Sequence, residues 1–210
     1  AAQALPGVVG DPDLLAGFSV RGGENRDVAF TLDRVPLDNP FHLAGFNSIF
    51  NPDMVQKVDF WAGAAPVTQK SGISAMMAVQ SWDGTPRQEG AGIDGAVDIS
   101  MSSARLAVMG PLDRDAKLSV AFAARRTYLE AYLKVLQWAN LIDSAVAAPN
   151  FAEISLRTAW RPNPAHRVRL TVMRSADSLA LVDSEDDAAI SFDGAFELRN
   201  SLWFVALDHH

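Results

Sequence analysis

Apolar and polar residues alternate one for one through much of the second half of this chain. Over 117–126, Leu118, Val120, Phe122 and Ala124 fall on one side and Lys117, Ser119, Ala121, Ala123 and Arg125 on the other. A period of two is the signature of a β-strand with two unlike faces. The pattern recurs over 151–162, where Ile154, Leu156 and Trp160 oppose Glu153, Ser155, Arg157 and Arg161. It recurs again over 166–176, with Val168, Leu170 and Val172 opposite Arg167, Arg169 and Thr171. Segments 95–101, 104–112 and 199–210 also read as strands, which makes six; the last is apolar on both faces, so its orientation stays open. Two connections differ in kind. The stretch RPNPAHR, 161–167, is a tight Pro/Asn turn, whereas in 128–146 Leu129, Tyr132, Leu133, Leu136 and Ala139 recur at helical spacing.

The first ninety residues have another texture, rich in Gly, Pro, Asn and Asp. Short apolar runs (GFSVRGG, DVAFTLDRVPL, VQKVDFWAG and MMAVQSW) sit between turn signals and predict brief strands with long connections. In NPDMVQ, Asn51 is positioned to cap a helical turn, with Pro52 at its first position and Asp53 beside it.

Composition narrows the function. The 210 residues carry a net charge of −7, which argues against a nucleic-acid backbone as partner. There is no cysteine, so disulfides, thiolate metal sites and cysteine nucleophiles are excluded. No apolar run of about 18 residues offers a spanning helix, but a spanning strand needs only about 9 to 11 residues with one apolar face. The start, AAQALPGVVG, lacks the basic and apolar regions of a secretory leader. Candidate chemistry is sparse. The four carboxylates of DSEDD, 183–187, lack the spacing and glycine of a calcium loop. The terminal DHH, 208–210, stands without further metal-binding motifs, and His166 lies alone in a turn. No phosphate loop or nucleophile elbow is present, so neither cofactor nor catalytic residue is assigned and the chain does not read as an enzyme.

The ordered pieces LPGVVGDP, FSVRGG, TLDRVPL, NPFHLAGFNSIFNPDMVQKVDFWAGAAP and AVQSWDG resemble the plug domain of TonB-dependent outer-membrane receptors. The stretch SARLAVMGPLDRDAKLSVAFAARRTYLEAYLK resembles the opening barrel strands of that family. Three departures stand out. Ala62-Gly63 replaces the usual Arg-Gly, Gln69-Lys70 lies where Tyr-Gly is expected nearby, and Asp33-Arg34 occupies a turn that normally holds Asp-Gly.

The resemblance implies an α+β plug, a small mixed sheet with short helices, over 1–93, followed by about six antiparallel transmembrane strands over 94–210. It implies that the oily strand faces meet lipid and the polar faces meet the plug. The long loop 129–150 and the acidic loop would then lie outside the cell, and the 162–166 turn in the periplasm. Six strands cannot close a plugged barrel of about 22, and an open edge in hydrocarbon is forbidden. The chain is therefore expected to be the N-terminal part of a large plugged β-barrel, completed by further sequence or a second chain. The implied function is binding and TonB-driven import of a scarce ligand, such as a ferric siderophore, cobalamin or an oligosaccharide, at the outer membrane. TonB would pair with a segment upstream of Ala1. Ligand contacts implied for the apical loops are Asp11, Asp13, Asn25, Arg26, His42, Phe46 and Asn47, and Arg21 would latch the plug to barrel-wall carboxylates. The alternative is a plug-like binding or structural subunit of a multi-chain envelope assembly, without transport.

Overall fold

The computed structural model describes residues 8–10, 18–23, 27–42, 47–66, 72–84, 92–113, 115–139, 141, 146–182 and 197–209. It contains twelve strands among them. Strands β1 (Val8–Gly10) and β2 (Phe18–Val20) form a two-stranded antiparallel ribbon. A four-stranded mixed sheet follows, built from β3 (Val28–Leu32), β4 (Val35–Leu37), β5 (Val55–Trp61) and β6 (Ala75–Ser81) in the order β4-β3-β6-β5. Only the β3–β6 pair is parallel.

The second sheet is a meander. Strands β7 (Asp94–Ile99), β8 (Ser103–Pro111), β9 (Leu118–Thr127), β10 (Val146–Asn163), β11 (His166–Val182) and β12 (Glu197–His209) pair antiparallel with their sequence neighbours. The sheet is open, with β7 and β12 as its edges. Segment 94–111 makes two paired strands, so the count is six. Strand β10 starts at Val146, earlier than its alternation suggests, because Val146 to Asn150 pair with Val182 to Ser178 in an extended ribbon.

Helix content differs from the α+β expectation. Among the described residues up to 93, helical conformation is confined to a 3-10 position at Asp27 and a 3-10 turn, Pro52–Met54, with Asn51 Oδ1 accepting from the Asp53 amide at 3.0 Å. The cap and the proline act as anticipated, but Val55 is already extended and enters β5, so the turn does not propagate. The α-helix, α1 (Leu129–Trp138), lies between β9 and β10. Its Leu129, Tyr132, Leu133 and Leu136 are half-buried, while Ala139 falls beyond its end and is exposed.

The small sheet sits on the inner face of the large one. Phe30, Leu32, Met77 and Val79 pack with Met173, Phe204 and Ala206 of β11 and β12. Met54 and Trp82 pack with Ala107, Met109, Ala121 and Ala123 of β8 and β9. Alanine dominates that second contact because larger side chains would hold the two sheets apart. The backbone itself comes close at Gly84, at φ +84°, where a Cβ would lie 2.8 Å from the Val120 main chain.

Among the described residues nothing covers the outer face of the large sheet. Ile154, Leu156, Trp160, Trp203, Val205 and Leu207 are exposed, while their strand neighbours Glu153, Ser155, Arg157, Phe204 and Ala206 are buried. On β10 burial therefore follows the strand period rather than hydrophobicity: Glu153, Ser155 and Arg157 go inside and Ile154, Leu156 and Trp160 outside. That inverts the usual distribution in a water-soluble protein.

The β3–β4 hairpin turns on Asp33 at φ 49° and Arg34 at φ 71°. Two consecutive positive φ angles define the tight hairpin turn that favours Asn-Gly or Asp-Gly. Arg34 holds this geometry with a Cβ, at a conformational penalty of roughly 1 kcal/mol. Arg34→Gly is expected to stabilise the hairpin by about 0.5–1 kcal/mol, read as slower hydrogen exchange of the β3 and β4 amides. Faster exchange in the variant would refute the assignment of strain.

Candidate functional site

The polar inner face of the large sheet meets the small sheet through three clusters of charge. The first centres on Arg157 of β10, which is 1% exposed. Its Nη1 donates to Asp33 Oδ1 at 3.0 Å and also contacts the carbonyl and hydroxyl oxygens of Ser81. Asp33 Oδ1 accepts from the Ser81 amide at 2.9 Å, and its Oδ2 accepts from Thr171 Oγ1 at 3.2 Å and from the Ser81 hydroxyl. The β3–β4 turn thus places a carboxylate against the arginine, and the end of β6 supplies the remaining acceptors. A buried guanidinium needs this density of partners.

The second cluster lies at the β10–β11 turn. Asp83, just after β6, takes Arg161 Nη2 at 2.5 Å and also pairs with Arg167. Its carbonyl accepts from Ser119 Oγ of β9 at 2.7 Å. Nearer the edge strand, Arg105 of β8 lies 3.5 Å from Asp53 and 3.6 Å from Asp98.

The third cluster forms around His42, which is 2% exposed. Its loop closes through two backbone bonds, His42 N to Asn47 O and Ile49 N to Pro40 O, both 2.9 Å. The ring stacks on Phe151 at a centroid distance of 4.0 Å and an interplanar angle of 18°. Nδ1 lies 2.5 Å from Asp177 Oδ1 and Nε2 3.0 Å from Glu153 Oε2, with Ser175 Oγ 3.3 Å from Nδ1. Arg125 completes the group: Nη2 donates to Glu153 Oε2 at 2.9 Å and to the Ser48 carbonyl at 2.7 Å. Two cations, His42 and Arg125, face two carboxylates, Glu153 and Asp177. Carboxylates only accept, so both ring nitrogens act as donors and the ring is an imidazolium. Burial opposes that charge and is the largest single influence. The hydrogen bonds and charges of Asp177 and Glu153 together outweigh it, and the His42 pKa is raised above the ordinary imidazole value.

The residues anticipated from sequence are distributed unevenly. Asp11, Asp13, Asn25, Arg26 and Phe46 lie outside the described residues. Asn47 is exposed in the loop that His42 closes. His42 is turned into the interface rather than toward an apical ligand. Arg21, at φ 50°, is exposed with its guanidinium beside Gly63, and among the described residues it pairs with no carboxylate of the six strands. The anchors run mostly the other way, from arginines of the large sheet to carboxylates of the small one. Sequence reasoning placed Arg157, Arg161 and Arg167 on the polar strand faces but did not find their partners. Asp33 was noticed only as a turn residue, and Asp83 not at all.

The arrangement of a mixed sheet seated on the polar concave side of an antiparallel meander has solved counterparts. The ferripyoverdine receptor of the outer membrane of Pseudomonas aeruginosa matches 91% of this chain with a TM-score of 0.56 at 13% identity. The siderophore receptor PirA from Acinetobacter baumannii matches 85% with a TM-score of 0.57 at 15% identity. The ferric enterobactin receptor PfeA matches 85% with a TM-score of 0.56 at 13% identity. The fold is that of the TonB-dependent receptors. The chain spans 26%, 29% and 30% of the lengths of those three proteins. No family model and no curated protein matches the sequence. The three clusters lie where the small sheet meets the meander and tie the two together.

Two outcomes follow for these anchors. Arg157→Leu and Asp33→Asn should each loosen the small sheet by about 3–5 kcal/mol, since each strands one partner of a buried pair. Limited proteolysis of residues 27–84 reads this, and wild-type resistance in both variants would refute the anchor. For His42, a raised pKa means that its contribution is complete below about pH 6.5 and is lost as pH climbs through the raised value. Hydrogen exchange of amides 47–61 should therefore accelerate on alkaline titration in the wild type, and His42→Gln should remove that pH dependence.

Proposed function

We propose that this chain is the plug, residues 1–93, and the first six barrel strands, 94–210, of an outer-membrane receptor that imports a ferric-siderophore-class ligand with energy from TonB. The observation that carries the reading is the inverted sheet: an apolar exposed face on one side and a polar, ion-paired face against the small sheet on the other. In water such a sheet would bury charge and expose oil; in a bilayer both faces are satisfied. The solved receptors of the same fold support the ligand class, because two of the three are named for ferric complexes and one for siderophores.

The open edges at β7 and β12 support a larger barrel, because their free backbone groups need partner strands within hydrocarbon. The long β9–β10 connection with α1 then faces outward and the tight β10–β11 turn faces the periplasm. The ligand would meet the apical plug loops, for which Asp11, Asp13, Asn25, Arg26, Phe46 and Asn47 remain the proposed contacts. Arg21 is proposed to reach a carboxylate of a strand beyond these six.

Membrane fractionation and detergent dependence of the full-length protein test the reading; a protein soluble without detergent would end it. A substitution gives the finer check. Val205 and Leu207 are 65% and 74% exposed on β12. Val205→Arg should destabilise the inserted protein by about 2–4 kcal/mol if the site lies near the bilayer midplane, measured as a lower urea midpoint in liposomes. In a water-exposed sheet the same change would be near neutral.

A further inference from the structure

The outward face of the large sheet carries three arginines that its apolar character does not explain, Arg199 of β12 among them. Arg126 of β9 and Arg174 of β11 are both exposed on it. Among the described residues neither has a carboxylate partner. They lie on either side of β10: Arg126 pairs in register with Ala152, and Arg174 with Ile154. The guanidinium of Arg174 is further fixed over the Trp203 ring, 4.9 Å from its centroid.

Between them the sheet is hollow. Ala124, Ala152 and Ala176 are the small residues of adjoining strands, and Leu106 and Ile154 rise beside them. The result is an apolar depression of about 700 Å³. A second depression of about 410 Å³ adjoins it on the side of the β9–β10 connection. The two share Arg126, Arg174, Ala152 and Ala176, and the second adds Arg199, Ser178 and Ser201. An oily hollow thus leads into a polar one with three arginines and one carboxylate, Asp177, which His42 engages; Arg126 and Arg174 stand at the boundary.

We propose that this pair of hollows holds one lipid with an anionic phosphate headgroup, its acyl chain over the alanines and its phosphate between Arg126 and Arg174. The inference rests on the membrane reading above and adds a specific lipid site to it. The level fits. Outward-facing Trp160 and Ala152 are eight residues apart on β10. That is about 27 Å along a strand, or about 20 Å of height at a tilt near 40°. The arginines therefore sit near the rim of an apolar band about 25 Å tall, where headgroup phosphates begin. An unpaired guanidinium there favours an anionic partner, and its forked donors match phosphate oxygens. Arg174, already oriented by Trp203, presents those donors at little further ordering cost.

The test is retention of lipid by the full-length receptor purified in neutral detergent, with phosphatidic acid and phosphatidylcholine as probes and native mass spectrometry as readout. Phosphatidic acid should be retained at least tenfold better by wild type than by an Arg126→Gln/Arg174→Gln double variant, with phosphatidylcholine unchanged. Inorganic phosphate at the same concentration should not displace it, because the apolar hollow supplies part of the affinity. Equal retention by both proteins, or displacement by phosphate alone, would overturn the site. Heat-modified gel mobility verifies that the variant folds. Failure of wild type to require detergent would instead refute the membrane reading, so the two failures are distinguishable.

Discussion

A guanidinium with 1% of its surface exposed, Arg157, ties the two sheets of this protein together through Asp33. An arginine is buried in this way only if every neighbour is recruited to satisfy it. Ser81 at the end of β6, Thr171 on β11 and the turn between β3 and β4 all converge there. The turn even adopts two positive φ angles without a glycine. Local strain at Arg34 is offset by the carboxylate that the same turn delivers to the interface.

That constraint explains the distribution of the remaining side chains. If the inner face is occupied by ions and their partners, the strand period forces the alternate residues to the outer face. On β10 the buried series Glu153, Ser155, Arg157 and Ala159 therefore implies an exposed Ile154, Leu156 and Trp160. Registers on either side propagate the same phase to β9 and β11 without a break, up to the irregularity after Trp160. One buried arginine is thus tied to an apolar outer surface across the whole meander. The outer arginines, Arg126, Arg174 and Arg199, break that surface toward the end that bears α1.

Much of this was legible in the sequence because period and burial are locked together in strands. The six segments, the tight turn at 161–167 and the capped turn at Asn51 were all local patterns. The orientation of β12 was not, since Trp203, Phe204, Val205 and Ala206 give no polar face to read. Packing decides it: Phe204 and Ala206 join Met173 in the core, and Trp203 and Val205 turn outward. The anchors were hidden for a different reason. Asp33 and Arg157 are 124 residues apart, and His42 and Asp177 are 135 apart. No window of sequence contains both partners, and a histidine between Phe41 and Leu43 carries no mark of the carboxylates that will enclose it. The helices expected before residue 93 were an inference from family likeness, and the described residues there hold only 3-10 conformation at Asp27 and Pro52–Met54.

The character of the interface bears on how such a fold can work. Two hydrophobic faces pressed together resist separation in water, because parting them exposes oil. An interface of arginines, carboxylates, serines and a histidine behaves differently. Each ion, once separated, regains the hydration that it surrendered on docking, so much of the lost Coulomb energy is returned. Apolar contact accompanies the ion pairs: Met54 and Trp82 against Ala107, Met109, Ala121 and Ala123 on one side, and Phe30, Leu32, Met77 and Val79 against Met173, Phe204 and Ala206 on the other. The small sheet is therefore held in part by directional bonds that specify its position closely, yet admit water as they break. His42 adds a graded element to that balance, since its hold on Glu153 and Asp177 depends on a proton. A seat of this kind keeps a small sheet in register against a larger one.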